Sequence, residues 1–159
     1  MEVRAMADTL VLNCRKVVPG KASGEAIVCR EAISFNGGVN NLTGIVSEEG
    51  HSLHGACLTG KVLVYTTGKG STGGSYKIYD MVVRGTAPVA FVQVSAEPIT
   101  AIGAIMGNLP VVDSFEHDPT EVIATGDFVE VDADRGIVTV TKCAAPAAVH
   151  DSHSTASSL

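Results

Sequence analysis

The sequence predicts a single α/β domain, and three observations carry that expectation. First, Lys61–Thr67 is a short apolar run, as expected of a covered, parallel strand; the glycine-rich loop Gly68-Lys69-Gly70-Ser71-Thr72-Gly73-Gly74-Ser75 follows it. Beyond the loop, Tyr76, Tyr79 and Val83, with Ile78 and Val82 beside them, recur at helical spacing until Arg84-Gly85 ends the segment. Second, hydrophobic residues make up 45% of the 159-residue chain but aromatics only 4%, so the core has to be built from Val, Ile, Leu and Ala, the composition of a covered sheet. Third, both ends of the chain alternate apolar and polar residues in the manner of half-covered strands.

Taken in order, Thr9–Lys16 and Ser23–Arg30 read as two strands separated by Pro19-Gly20-Lys21. Residues 34–44 hold too much Gly and Asn for regular structure and form a second candidate site loop. After the central helix, Pro88 leads into strand Val89–Val94, and Pro98 opens an apolar helix through Met106 that Gly107-Asn108 stops. Leu109–Asp113 is a short strand ending in a carboxylate. Gly126–Asp132 and Gly136–Thr141 form a hairpin around Ala133-Asp134-Arg135. One domain over residues 1–143 is expected, with a disordered tail over 144–159.

Composition excludes several functions. A net charge of −6 with no basic run argues against nucleic acid or an anionic membrane as partner. No stretch approaches the roughly 18 apolar residues of a membrane helix, and the N-terminus lacks the order of a signal peptide, so a cytoplasmic protein is expected. Cys14, Cys29, Cys57 and Cys143 form no C-x-x-C pair and read as reduced, mostly buried thiols. His51 and His54 sit in a loop-like stretch, where local hydrogen bonding is the simpler reading than metal binding. This chain is expected to bind no metal or cofactor by itself.

A strand, a glycine loop and a helix in that order aim free N–H groups and the positive end of the helix dipole at whatever sits above Ser71. That suits a carboxylate, a phosphate or an alkoxide. Other readings compete. Gly68-x-Gly70-x-x-Gly73 satisfies the dinucleotide fingerprint, with Glu97 as ribose acceptor, yet some sixty residues precede it where the fingerprint normally opens its domain. No Gly-Lys-Ser/Thr follows at phosphate-loop spacing. A tight turn with ordinary capping serines remains the least specific alternative.

With these motifs placed, the chain resembles the small, swivelling-domain subunit of the aconitase X family, the counterpart of the mobile fourth domain of aconitase. The resemblance rests on Val18-Pro19-Gly20-Lys21-Ala22-x-Gly24-Glu25-Ala26, Ser34-Phe35-x-Gly37-Gly38-Val39, His54-Gly55-x-x-Leu58-x-Gly60-Lys61-Val62-Leu63-Val64 and Gly68-x-Gly70-Ser71-x-x-x-Ser75-Tyr76. Gly85-Thr86-Ala87-Pro88 and Ile105-x-x-x-Leu109-Pro110-Val111-Val112-Asp113 agree, so it spans roughly residues 16–142.

The resemblance implies a single swivelling β/β/α domain that closes over a large subunit in a hydro-lyase active only as the pair. It implies that Ser71 is the base, acting as an alkoxide, and that iron or an iron-sulfur cluster resides in the large subunit. Gly70 and Ser75, with Gly38 and Val39 from the Asn/Gly loop, are the implied substrate contacts; Lys21 and Asp113 either shape the site or anchor loops. Where aconitase carries an arginine in this loop the chain has Gly73, with Lys69 the nearby cation. Two substrates belong to the family, cis-3-hydroxy-L-proline and phosphomevalonate. The 18% charged residues, the cysteines and the asparagines point away from a hyperthermophile. The resulting expectation is a bacterial enzyme dehydrating cis-3-hydroxy-L-proline to 1-pyrroline-2-carboxylate, with phosphomevalonate as the alternative. A further alternative is a mobile carrier or interaction module, since the final hairpin resembles phosphohistidine swivelling domains, but Ile99 stands where their histidine would be.

Overall fold

A sheet whose two end strands are joined through one residue has to curl until its edges meet, and that constraint organises this molecule. The computed structural model describes residues 8–143. In chain order the strands and helices are β1 (Thr9–Asn13), β2 (Arg15–Val18), β3 (Lys21–Val28), β4 (Ile33–Ser34), β5 (Val62–Tyr65), β6 (Gly68–Lys69), α1 (Gly73–Arg84), β7 (Ala90–Gln93), α2 (Pro98–Gly107), β8 (Val111–Asp113), α3 (Pro119–Val122), β9 (Phe128–Asp132) and β10 (Ile137–Thr141). The main sheet runs β1-β10-β9-β3-β5-β7-β8-β2, with a separate β4-β6 pair. Only Cys14 separates β1 from β2, which lie at opposite ends of that order.

The long strand β3 joins two kinds of sheet. Lys21–Glu25 pair antiparallel with β9, and Ala26–Val28 pair parallel with β5. The strands β5, β7 and β8 are parallel, as the apolar run through Val62–Tyr65 predicts. All four residues of β5 are buried because it is covered on both faces. Val62 and Val64 join a valine-rich interior with Val92, Val112, Val129 and Val140. Leu63 and Tyr65 alternate to the other face and pack with Phe91, Ile78, Met81 and Ala104 beneath the helices.

Several expectations need correction. Thr9–Lys16 is two strands, because Thr9–Asn13 pair with β10 while Arg15–Val18 pair with β8. The second strand begins at Lys21 instead of Ser23, and Ser34 belongs to β4 instead of a loop. The stripe Tyr76-Tyr79-Val83 faces outward, with Tyr76 71% and Val83 66% exposed. The buried face of α1 is Gly74, Ser75, Ile78 and Met81. Small residues allow the close approach: a Cβ on Gly103 of α2 would meet Ile78 Cβ and the Ser75 carbonyl at 2.9 Å. Of the cysteines only Cys29 is buried; Cys14 is half-buried, Cys57 and Cys143 are exposed, and all four are free. The expected tail from Ala144 lies outside the described residues.

Two buried carboxylates fasten the sheet. Asp113 closes the β2–β8 edge by accepting Arg15 Nε at 2.8 Å and Nη2 at 2.9 Å, and it also accepts the Ala96 N–H at 2.8 Å. Asp127 accepts Lys142 Nζ at 2.6 Å and the N–H groups of Ala124 and Cys143. Burial by itself pushes both carboxyls up, but the bonds from Arg15 and Lys142 and from the backbone outweigh it and hold both below the usual carboxylate range. Their stabilisation is therefore complete above the unfolded carboxylate pKa of about 3.9 and is lost as pH falls through the depressed folded values. Melting temperature followed against pH is expected to fall steeply below about pH 4. Asp113→Asn is expected to melt lower at neutral pH and to show a shallower acid limb; an unchanged limb would remove Asp113 from this role.

Candidate active site

The two glycine-rich stretches singled out in the sequence are brought side by side by the short β4–β6 pair. Ile33 and Ser34 pair in parallel with Gly68 and Lys69, and the Ile33 N–H donates to Thr67 O at 3.1 Å. The loop leaving β6 then enters α1 at Thr72, whose side chain makes no capping hydrogen bond. The reading of these hydroxyls as ordinary helix caps thus finds no support in the geometry. Two backbone bonds close the turn, Gly74 N–H to Ser71 O at 2.9 Å and Ser75 N–H to Thr72 O at 3.1 Å.

Ser71 is exposed, and its Oγ accepts a hydrogen bond of 2.7 Å from Asn36 Nδ2. Gly70 has φ +102°, and a Cβ there would lie 2.7 Å from Ser34 Oγ, so only glycine fits the bend. A depression of about 280 Å³ beside the loop is lined by Ser34, Asn36, Gly37, Gly38, Glu48 and Lys69. Its floor is fixed by Gly38, whose N–H donates to Ser34 O and whose carbonyl accepts the N–H groups of Ser47 and Glu48.

The remaining expected site residues are arranged differently. Val39 is buried in the core and does not line the depression. Ser75 is buried too, and its hydroxyl donates to Ile99 O at 2.7 Å, which ties the start of α1 to α2 and uses the serine's one proton. Lys69 Nζ is paired with Glu48 Oε2 at 3.0 Å. Lys21 lies 4.0 Å from Asp132, and Asp113 serves the β2–β8 edge; neither joins Ser71.

Glu97, the ribose acceptor of the dinucleotide reading, is occupied by the fold. Its Oε2 caps α2 by accepting the Thr100 N–H at 2.9 Å, and its Oε1 accepts the Gly68 N–H at 3.1 Å and Gln93 Nε2 at 3.2 Å. Gln93 also donates to the Tyr65 hydroxyl, which contacts Thr100 Oγ1. Burial raises the Tyr65 phenol and keeps it neutral. This polar set lies under the glycine loop and anchors it to the sheet.

Sequence reasoning passed over Asn36 because it occupies the unspecified position of Ser34-Phe35-x-Gly37-Gly38-Val39. Its signal was a short amide donor just ahead of two glycines. Among the described residues no three His, Cys, Asp or Glu side chains gather as a metal site. His51 is buried with Nδ1 accepting the Leu53 N–H and Nε2 facing Ala32 O. The donors present therefore do not fit iron or an iron-sulfur cluster. No helix among the described residues is long and apolar enough to cross a membrane.

Residues 11–140 match the family described as the aconitase X swivel domain. The chain is 48% identical over 123 residues to the phosphomevalonate dehydratase small subunit of Methanocella arvoryzae, covering 77% of this chain and 93% of that one. It is 46% identical over 131 residues to the protein of the same name from Methanosarcina acetivorans, covering 82% and 91%. The crystal structure of Thermococcus kodakaraensis aconitase X in its holo form matches with a TM-score of 0.79 at 44% identity, covering 84% of this chain and 99% of that one. These names overturn the expectation of a hydroxyproline dehydratase. Charge and cysteine content track the temperature at which a protein works. They say nothing about the pocket that selects a substrate.

Proposed function

This chain belongs to the aconitase X swivel-domain family, and on that premise we propose that it is the small subunit of a phosphomevalonate dehydratase whose Ser71 is the proton-abstracting base. The observation that carries the reading is the exposed Ser71 hydroxyl at the uncapped start of α1, in a chain closely similar to subunits of that name. Phosphomevalonate bears a hydroxyl on C3, and its C2 protons lie next to the carboxylate. Ser71 Oγ takes one C2 proton; the electrons of that C–H bond form the C2=C3 double bond as the C3–O bond breaks and the hydroxyl departs as hydroxide, which becomes water with a proton drawn from solvent, while Ser71 afterwards returns its own proton to solvent. No residue of this chain is assigned to the departing hydroxyl.

A free serine is too weakly acidic to serve as an alkoxide near neutral pH, so its surroundings have to favour the anion. The positive end of α1 supplies part of that preference. Gly70 and Gly38, lacking side chains, let substrate approach the loop backbone closely. Ser75 holds the start of α1 against α2 and so fixes the height of Ser71, a positioning role instead of the substrate contact first expected. Conversion of 5-phosphomevalonate by the complex of this chain with its large subunit tests the reading: a vinylic proton signal and loss of one water are expected, and no conversion by an intact complex would reject it.

The large subunit covers the apolar outer face of α1 and α2. Tyr76 and Val83 are joined there by Ile102 and Ile105, 50% and 60% exposed, and the patch begins next to Ser71. Tyr76→Asp combined with Ile102→Asp is expected to abolish copurification of the large subunit while the circular dichroism spectrum of this chain stays the same. Retention of the complex would place the contact elsewhere.

A further inference from the structure

Resting on the reading of Ser71 as the base, we propose that the Asn36 carboxamide is this chain's own stabiliser of the Ser71 alkoxide, the donor that sets the pH at which the base forms. Three observations converge on it. Asn36 Nδ2 lies 2.7 Å from Ser71 Oγ, reaching across from the neighbouring loop. Gly73 makes room for it: a Cβ at position 73 would stand 2.7 Å from Asn36 Nδ2 and 3.2 Å from its carboxamide carbon. Lys69, the cation on the same loop, is held by Glu48 at 3.0 Å.

The direction of the bond follows from the charge. An alkoxide has no proton to give, so only the NH₂ end of the amide can face it, and a donor aimed at the anion favours ionisation. The donation is stronger toward the anion than toward the neutral hydroxyl. Once the C2 proton has moved to Ser71 Oγ, the same amide remains a donor to a neutral hydroxyl and does not hold the proton there. A neutral donor also avoids placing a fixed cation where the substrate carboxylate has to be released.

Asn36 is exposed, so its replacement leaves the core intact. In the complex with the large subunit, Asn36→Ala is expected to lower kcat about 10²-fold with KM little changed, the loss typical of one oxyanion donor. The rising limb of the kcat profile moves up by about two pH units, the equivalent of that loss. Asn36→Asp, which replaces the donor with a carboxylate, moves the limb further. Gly73→Ala is expected to reproduce Asn36→Ala while leaving Asn36 in place, because the new methyl displaces the amide; combining the two adds nothing more. Copurification and melting temperature confirm that each variant is assembled. Unchanged kcat and pH limb in Asn36→Asp and Gly73→Ala, with Ser71→Ala inactive, would overturn the role of Asn36 alone. Full turnover in Ser71→Ala would overturn the base reading and this role with it.

Discussion

Ser71→Ala is expected to lower turnover of the assembled enzyme by about 10³-fold, within the range seen when a positioned acid or base is removed. The complex is expected to remain intact. Ser71 is exposed, its one side-chain hydrogen bond is to Asn36, and the backbone bond from Gly74 to the Ser71 carbonyl does not depend on the side chain. A substitution at such a place changes folding stability by no more than about 0.5 kcal/mol. Lost turnover with an unchanged melting curve and full copurification therefore points to chemistry. A variant that dissolved the complex would mark the loop as an interface, and a variant that worked within a few-fold of the parent would remove Ser71 as the base.

The largest effect on stability is expected at Glu97. Its carboxylate accepts from Thr100 N–H, Gly68 N–H and Gln93 Nε2, so Glu97→Ala removes the cap of α2 and orphans donors from two other elements. Loss of a cap costs about 1 kcal/mol. Each buried donor left without a partner adds about 1 kcal/mol or more. A total of about 3 kcal/mol lowers the melting temperature by roughly 6–12 °C for a chain of this size. Because Gly68 opens the segment that carries Ser71, turnover falls as well. Glu97→Gln keeps an acceptor oxygen and is expected to recover most of the stability; equal melting of the alanine variant and the parent would show that this buried set does not anchor the loop.

The features legible in the sequence are those encoded within a few residues. Gly85 and Asn108 end α1 and α2 in the left-handed conformation, Pro98 opens α2, and Ala133–Arg135 turn the final hairpin, all as the local signals predict. The short α3 was missed although Asp118-Pro119-Thr120 carries a cap and a proline start; the Asp118 carboxylate accepts the Thr120 N–H at 2.8 Å. Strand partners were not legible. Nothing near Cys14 says that Asn13 will pair with Ile137 while Arg15 pairs with Asp113. The inner face of α1 was not legible for a related reason. Both of its stripes have helical spacing, and the buried one is chosen by the fit of Gly74 and Ser75 against α2, a matter of packing between distant segments.

The site was half legible. The glycine loop and the Asn/Gly loop were both found, and the structure brings them together, but the Asn36–Ser71 contact spans 35 positions and no spacing rule reaches it. Glu97 was noticed for a ligand role and instead ties the loop to the sheet. The substrate was inferred from bulk composition, a property averaged over the whole surface, while substrate choice depends on a few groups at one mouth.

Deuterium release from 5-phosphomevalonate labelled at C2, followed in the intact complex with and without Ser71→Ala, tests the central claim most directly. The parent complex is expected to form an unsaturated product that keeps one C2 deuteron and has lost the other, and the Ser71→Ala complex to return its substrate fully labelled. Release of deuterium by the Ser71→Ala complex at the parent rate would show that another group removes the proton.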